Sequence, residues 1–214
     1  SLYVEHLLNV LEGRDLSGLR VVVDAANGAA SHLAAEVFGR TGASVVVVND
    51  HPDGRNINAG CGATDPAALK ALVTAERAHV GIALDGDHII AICASDLRGR
   101  GLLRKDTVVV TVMTNLGFRL AMESAGVHVV ETAVGDRYVL EALSAGGHSL
   151  GGEQSGHVIF TDHATTGDGM LTALALLDVV QRSGRPLSEL ASAAMTQLPQ
   201  VLVNVEVAER RPDV

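Results

Sequence analysis

The chain has 214 residues, of which 47% are apolar, 19% charged and only 2% aromatic, and it carries a formal net charge of −9. That balance excludes a disordered chain and requires a core built from Val, Leu, Ile and Ala. No Lys/Arg cluster interrupts the acidity, which excludes a nucleic-acid footprint, and no apolar run nears the ~20 residues of a membrane span, so no transmembrane helix is expected.

Two cysteines, Cys61 and Cys93, form no Cys-x-x-Cys or metal spacing. They read as reduced packing thiols in a cytoplasmic protein with no signal peptide. The first residue is Ser1, already inside a helical pattern, so a fragment or processed product is expected.

In chain order, Leu2, Leu7, Leu8 and Leu11 predict a helix over 2–12 that stops near Gly13. Residues 20–24 (Arg-Val-Val-Val-Asp) predict a buried parallel strand. Asn27-Gly28 turns into a helix over 29–40, and 44–48 is a second strand, completing a right-handed βαβ unit. The loop over 49–64 is long enough to be functional. A helix over 66–78, a strand over 80–84 and a helix over 89–98 follow. Then come a strand (107–112), a helix (116–124), a strand (127–132), a helix (138–144), a brief pairing segment at 149–151 and a strand (157–160). Helices over 168–182 and 187–195 and a strand over 201–207 complete the chain.

The run 21–28 followed by a helix, Gly42 and 45–47 is echoed by 108–117, a helix, Gly126 and 127–130. This weak repeat predicts an α/β fold of two tandem mixed-sheet, βαβ-based domains of similar topology, 1–87 and 88–214.

Three segments carry chemistry. Asp85-Gly86-Asp87 ends a strand, where ligands of open α/β sheets bind. Two carboxylates so spaced can turn to one hard cation such as Mg2+, or form an ordinary Asp-Gly turn. Gly135-Asp136-Arg137 opens a helix, so it is either an anion site or a cap with a solvated arginine. Gly151–His157 packs Glu153, Gln154, Ser155 and His157 among three glycines, as recognition of sugar hydroxyls would require, or as a hairpin with a polar tip would show. Asp168 reads as a helix cap. Ser31 and His32 are helix neighbours whose side chains diverge, so they are no nucleophile pair, and the first strand lacks Gly-x-Gly-x-x-Gly, which excludes a dinucleotide site.

Taken together, VVVDAANGAA (21–30), DGRNINAGCGATD (53–65), GIALDGD (81–87), TVMTNLG (111–117), AVGDRYVLE (133–141), GGEQSGHVIF (151–160), TTGDGM (165–170) and LPQVLVNVEV (198–207) resemble the α-D-phosphohexomutase superfamily. The resemblance covers the family's second and third domains, and the family's phosphoserine loop has no match here. It implies a phosphosugar substrate, by its loops glucosamine 6-phosphate and glucosamine 1-phosphate, interconverted through a bisphosphorylated sugar that feeds UDP-N-acetylglucosamine and cell-wall synthesis. Glucose or mannose phosphates, or a non-catalytic sugar-phosphate binder, are the alternatives. By matched positions, Asp85 and Asp87 would hold Mg2+, Glu153 and Ser155 the sugar hydroxyls, and His157, Asp136 and Arg137 would line the cleft. A homodimer is the one protein partner this reading admits. One departure stands out: the family's metal loop reads Asp-Gly-Asp-x-Asp-Arg, then a hairpin, then a helix, whereas His88-Ile89-Ile90 follows Asp87 directly.

Overall fold

The structure, a computed structural model, describes residues 1–63, 65–82 and 86–200. Helix α1 (Leu2–Leu8) is capped by Ser1, whose hydroxyl accepts from Val4 N at 3.3 Å, and a 3-10 turn (Asn9–Leu11) extends it. Strand β1 (Arg20–Asp24) lies between β2 (Ser44–Val48) and β3 (Val80–Ile82), both parallel to it, with Val22 opposite Val46 on one side and Gly81 on the other.

The helix expected over 29–40 is instead a 3-10 turn (Ala29–His32) followed by α2 (Ala34–Gly39). Gly28 gives the run no side-chain cap, so its first turn tightens, and Ser31 is drawn inside. Helix α3 (Ala67–Ala75) stops short of the expected end at 78, with Arg77 in the left-handed region at φ 48°.

Helix α4 (Gly86–Gly99) begins three residues earlier than the apolar periodicity suggests. Strand β4 (Thr107–Thr111) is buried along its whole length and leads to α5 (Leu116–Ser124) through the cap Asn115. Strand β5 (His128–Thr132), α6 (Asp136–Gly146), β6 (Leu150–Gly152) and β7 (Val158–Phe160) follow. The second sheet runs β5-β4-β6-β7, parallel except for β7, which is antiparallel to β6. Both sheets therefore place their first strand at the centre and the next two on either side, the topological form of the repeat seen in the sequence. Helices α7 (Gly169–Ser183) and α8 (Leu187–Ala194) close the described chain. The strand expected over 201–207 lies outside the described residues.

One main core runs through both sheets: Val21 and Val23 from the first with Phe38 from α2, Val108, Val110 and Phe160 from the second, and Ile90, Leu174 and Leu177 from α4 and α7. A smaller cluster, Val109, Val139, Leu143 and Ile159, seals α6 against the opposite face of the second sheet. Cys61 and Cys93 are buried and unbridged, and burial pushes the Cys93 thiol up to about 12, as packing thiols require.

Candidate active site

The Gly151–His157 segment is the tight connection between β6 and β7. Glu153 N donates to His157 O at 2.9 Å and Gly156 N to Glu153 O at 3.1 Å, so the backbone closes on itself and pushes the side chains of 153–157 outward. Three of the expected residues come together here. One ligand atom each of Asp136, Glu153 and His157 lies within 4.8 Å of the others. Ser155 Oγ stands 3.4 Å from His157 Nδ1.

Glu153 Oε1 also accepts from Gly135 N at 2.8 Å, placing a carboxylate at the N-terminus of α6, where the helix dipole favours it. Gly135 is the cap of that helix, at φ 133°, which a side chain rarely adopts; Asp136 is the first helical residue and not the cap. Burial, and then the bond it shares with Asp136, raises the Glu153 carboxyl above the usual carboxylate range. The cluster thus gathers two carboxyl groups beside an imidazole and can bind a cationic or hydroxyl-bearing ligand.

Arg137 stands apart. It is 84% exposed and pairs along its own helix with Glu141 at 2.7 Å. Asp87 is also placed elsewhere: it sits in the first turn of α4, is 7% exposed, and its Oδ2 accepts from Asn115 N at 3.0 Å. Asp85 lies outside the described residues.

A cavity of about 570 Å3 opens between the two sheets. Asp24 and Ile82, at the carboxyl ends of β1 and β3, face Ser155 and His157 across it. Tyr3 and Asp168 close one side, the Tyr3 hydroxyl donating to Asp168 Oδ2 at 2.6 Å. Asp168 is the expected helix cap, accepting from Met170 N and Leu171 N. Asp24, which lies in the family-like segment 21–30 but carried no expected role, ties the long 49–62 loop into the wall: it accepts from Ala26 N, Asn49 Nδ2 and Gly62 N. Its position as the last residue of a parallel strand was the available signal.

A profile described as phosphoglucomutase/phosphomannomutase, alpha/beta/alpha domain II, matches residues 1–91, and the corresponding domain III profile matches residues 85–198. The chain belongs to the phosphoglucomutase/phosphomannomutase family. Among the curated members of that family, the phosphoglucosamine mutase of Pelotomaculum thermopropionicum is 53% identical over 215 aligned residues, covering 92% of this chain and 48% of the relative. That of Thermobifida fusca is 52% identical over 225, covering 97% and 50%. The chain therefore spans about half the length of the phosphoglucomutase/phosphomannomutase relatives it matches. An N-acetylphosphoglucosamine mutase of Aspergillus fumigatus, solved with GlcNAc-6P and magnesium, shares the fold at a TM-score of 0.74 and 22% identity, over 97% of this chain and 52% of that one. A phosphoglucomutase/phosphomannomutase family protein of Burkholderia thailandensis does so at 0.76 and 24%, over 88% and 46%.

Proposed function

We propose that this chain is the central part of a phosphoglucosamine mutase, with unit boundaries near Asp87/His88, that holds the sugar while glucosamine 6-phosphate and glucosamine 1-phosphate interconvert. The observation that carries the reading is the Asp136–Glu153–His157 cluster beside Ser155, made by the first residue of α6 and the β6–β7 connection, with Ser155 and His157 lining a cavity shared by two sheets. Glu153 and Ser155 accept and donate to sugar hydroxyls, and His157 lines the same wall. The paired carboxylates of Asp136 and Glu153 complement the ammonium that distinguishes an amino sugar from glucose or mannose. Arg137, exposed and paired with Glu141 one turn along, supplies a cation near the N-terminus of α6 for a phosphate.

Phosphoryl transfer in this reading runs through a phosphoserine and a bisphosphorylated sugar, and catalysis is mainly positioning and charge. The phosphoserine loop of the family has no match in this chain, and the Ser31–His32 pair on its 3-10 turn does not replace it. Mg2+ is proposed for the whole enzyme. The described residues at the β3–α4 junction do not fit it, because Asp87 is buried in a helix and committed to Asn115. The product would feed UDP-N-acetylglucosamine and cell-wall synthesis. None of the described helices is long and apolar enough to cross a membrane; a cytoplasmic place, without nucleic-acid or membrane partners and with a homodimer as the protein contact, completes the proposal.

Titration of the chain with glucosamine 6-phosphate, glucose 6-phosphate and mannose 6-phosphate tests it. Saturable binding is expected, tightest for the amino sugar and about tenfold weaker in Glu153→Gln and Ser155→Ala, with no turnover. Equal or absent binding of all three overturns the substrate assignment. Turnover by this polypeptide alone overturns the role given to the phosphoserine.

A further inference from the structure

We infer that Gly86-Asp87 in this chain serves as the opening of α4 and not as part of a cation loop, because the loop and edge strand that the repeat calls for between β3 and α4 are missing from it. The inference rests on the fold and the family and holds whichever sugar phosphate the cleft accepts.

The internal repeat supplies the first argument. In the second unit, residues 153–168 separate β6 from α7 and contain the site loop and the antiparallel strand β7. In the first unit, residues 83–85 alone separate β3 from α4. Among the described residues β3 pairs only with β1, so its outer edge holds the position that β7 fills on β6. The family comparison points the same way. The domain II and domain III profiles both claim residues 85–91, so one Asp-Gly-Asp serves as the end of one unit and the start of the next. The alignment with the Thermobifida fusca relative spans 225 residues, more than this chain's 214, so the relative carries residues without a counterpart here.

The side chains at the junction are used for packing. Asp87 Oδ2 accepts from Asn115 N, and buried Asn115 in turn accepts from Gly117 N and Leu198 N and donates to Leu198 O. Asp87 therefore anchors the start of α4 to the cap of α5 and to the segment leaving α8. Mg2+ demands near-octahedral oxygen ligation and retains several waters, which a carboxylate 7% exposed and bound to an amide does not accommodate. Gly86 N donates to Gln154 O at 3.1 Å, and a Cβ at position 86 would fall 1.9 Å from Glu153 O. The helix start is thus pressed directly on the 153–157 loop.

Mn2+, a paramagnetic stand-in for Mg2+, decides the matter. It is titrated into the 214-residue chain with NMR of the backbone amides, and into a second chain carrying the β3–α4 segment of the Thermobifida fusca relative. In the unmodified chain no stoichiometric broadening of amides 86–91 is expected. Broadening confined to 135–136 and 153–157 also supports the inference, since it places any cation on Asp136, Glu153 and His157. The segment-bearing chain should bind Mn2+ at least about tenfold more tightly than the unmodified one. One-to-one broadening of 86–91 that persists in Glu153→Gln, and so does not spread from the adjoining 153–157 loop, overturns the inference. A folded segment-bearing chain with no gain in Mn2+ affinity overturns it too. Sugar-phosphate shifts at 153–157, recorded on the same samples, report separately on the proposed function.

Discussion

Glu153 is under two opposed demands. Its Oε1 satisfies the Gly135 N–H, yet partial burial and the neighbouring Asp136 disfavour its charge. A carboxyl raised in the folded state binds its proton more tightly there than in the unfolded chain. The stabilisation this gives is complete below the ordinary carboxylate value and is lost as pH rises through the raised value. Glu153→Gln keeps an oxygen for Gly135 N–H and removes the titration. Thermal melts between about pH 4 and about pH 8 should therefore show a weaker loss of stability with rising pH in the variant, while sugar-phosphate affinity falls about tenfold. An unchanged pH slope would show that Glu153 does not titrate as argued. Gly86 makes a sterically sharper case at the same loop. In Gly86→Ala the new methyl meets the Glu153 carbonyl, a backbone atom that cannot rotate away. The expected cost is about 1–3 kcal/mol by urea denaturation, the usual penalty for overpacking. A variant within a few tenths of the parent would mean that α4 and the 153–157 loop separate easily.

At the scale of elements, α7 depends on one residue. Asp168 accepts from Met170 N and Leu171 N and also receives the Tyr3 hydroxyl, which fastens α1 to the same helix end. Burial and then the Asp168 bond hold the Tyr3 phenol above its ordinary value, so it stays protonated and donates. Asp168→Ala should cost about 1–2 kcal/mol, the usual value of a lost cap. Tyr3→Phe, which leaves the cap intact, should cost less; equal losses would assign the effect to the tyrosine. This cap was legible in the sequence because an Asp before a long apolar run is a local signal. So were β1, β2 and α5, whose bounds follow from Val-rich runs and an Asn cap. The split of 29–40 into a 3-10 turn and a short helix was not, because it follows from where Ser31 finds room inside. The early start of α4 was hidden for a related reason: Asp-Gly-Asp signals a turn locally, and the contacts that hold Gly86 and Asp87 at the helix start, to Gln154 and Asn115, are distant in sequence. At the site, the clustering of Glu153, Ser155 and His157 was readable from one glycine-rich segment, and Asp136 from the family's motif order. The outward pairing of Arg137 with Glu141 depends on rotamers that a motif does not encode. Tyr3, which lines the cavity, belongs to no motif and enters it through tertiary packing alone, whereas Asp24 lies in the family-like segment 21–30 but its place in the wall follows from its position at a strand end.

Across the whole molecule, the two sheets are joined by more than the chain between them. Asp178 on α7 is 3% exposed and receives Arg14 Nε at 2.6 Å from the segment before β1, and Arg182 Nε at 2.8 Å from its own helix. Arg182 reaches on to both oxygens of Asp96 on α4, a bidentate fork at 2.8 Å for each bond. These bonds, led by the one to Asp96, hold the Arg182 guanidinium firmly charged. The network lies over the same α4–α7 seam that carries the shared apolar core, so polar and apolar forces bind the units at one place. Replacing Asp178 with Ala removes the acceptor common to Arg14 and Arg182. Each arginine keeps a carboxylate neighbour, Glu12 and Asp96 respectively, so the loss is that of the charged hydrogen bonds alone, about 2–3 kcal/mol. For a chain of this size that lowers Tm by roughly 5–10 °C. Because the core is continuous through α4 and α7, calorimetry should still show one transition, shifted down as a whole. Two resolved transitions in Asp178→Ala would mean that the ion network, and not the apolar seam, makes the sheets unfold together.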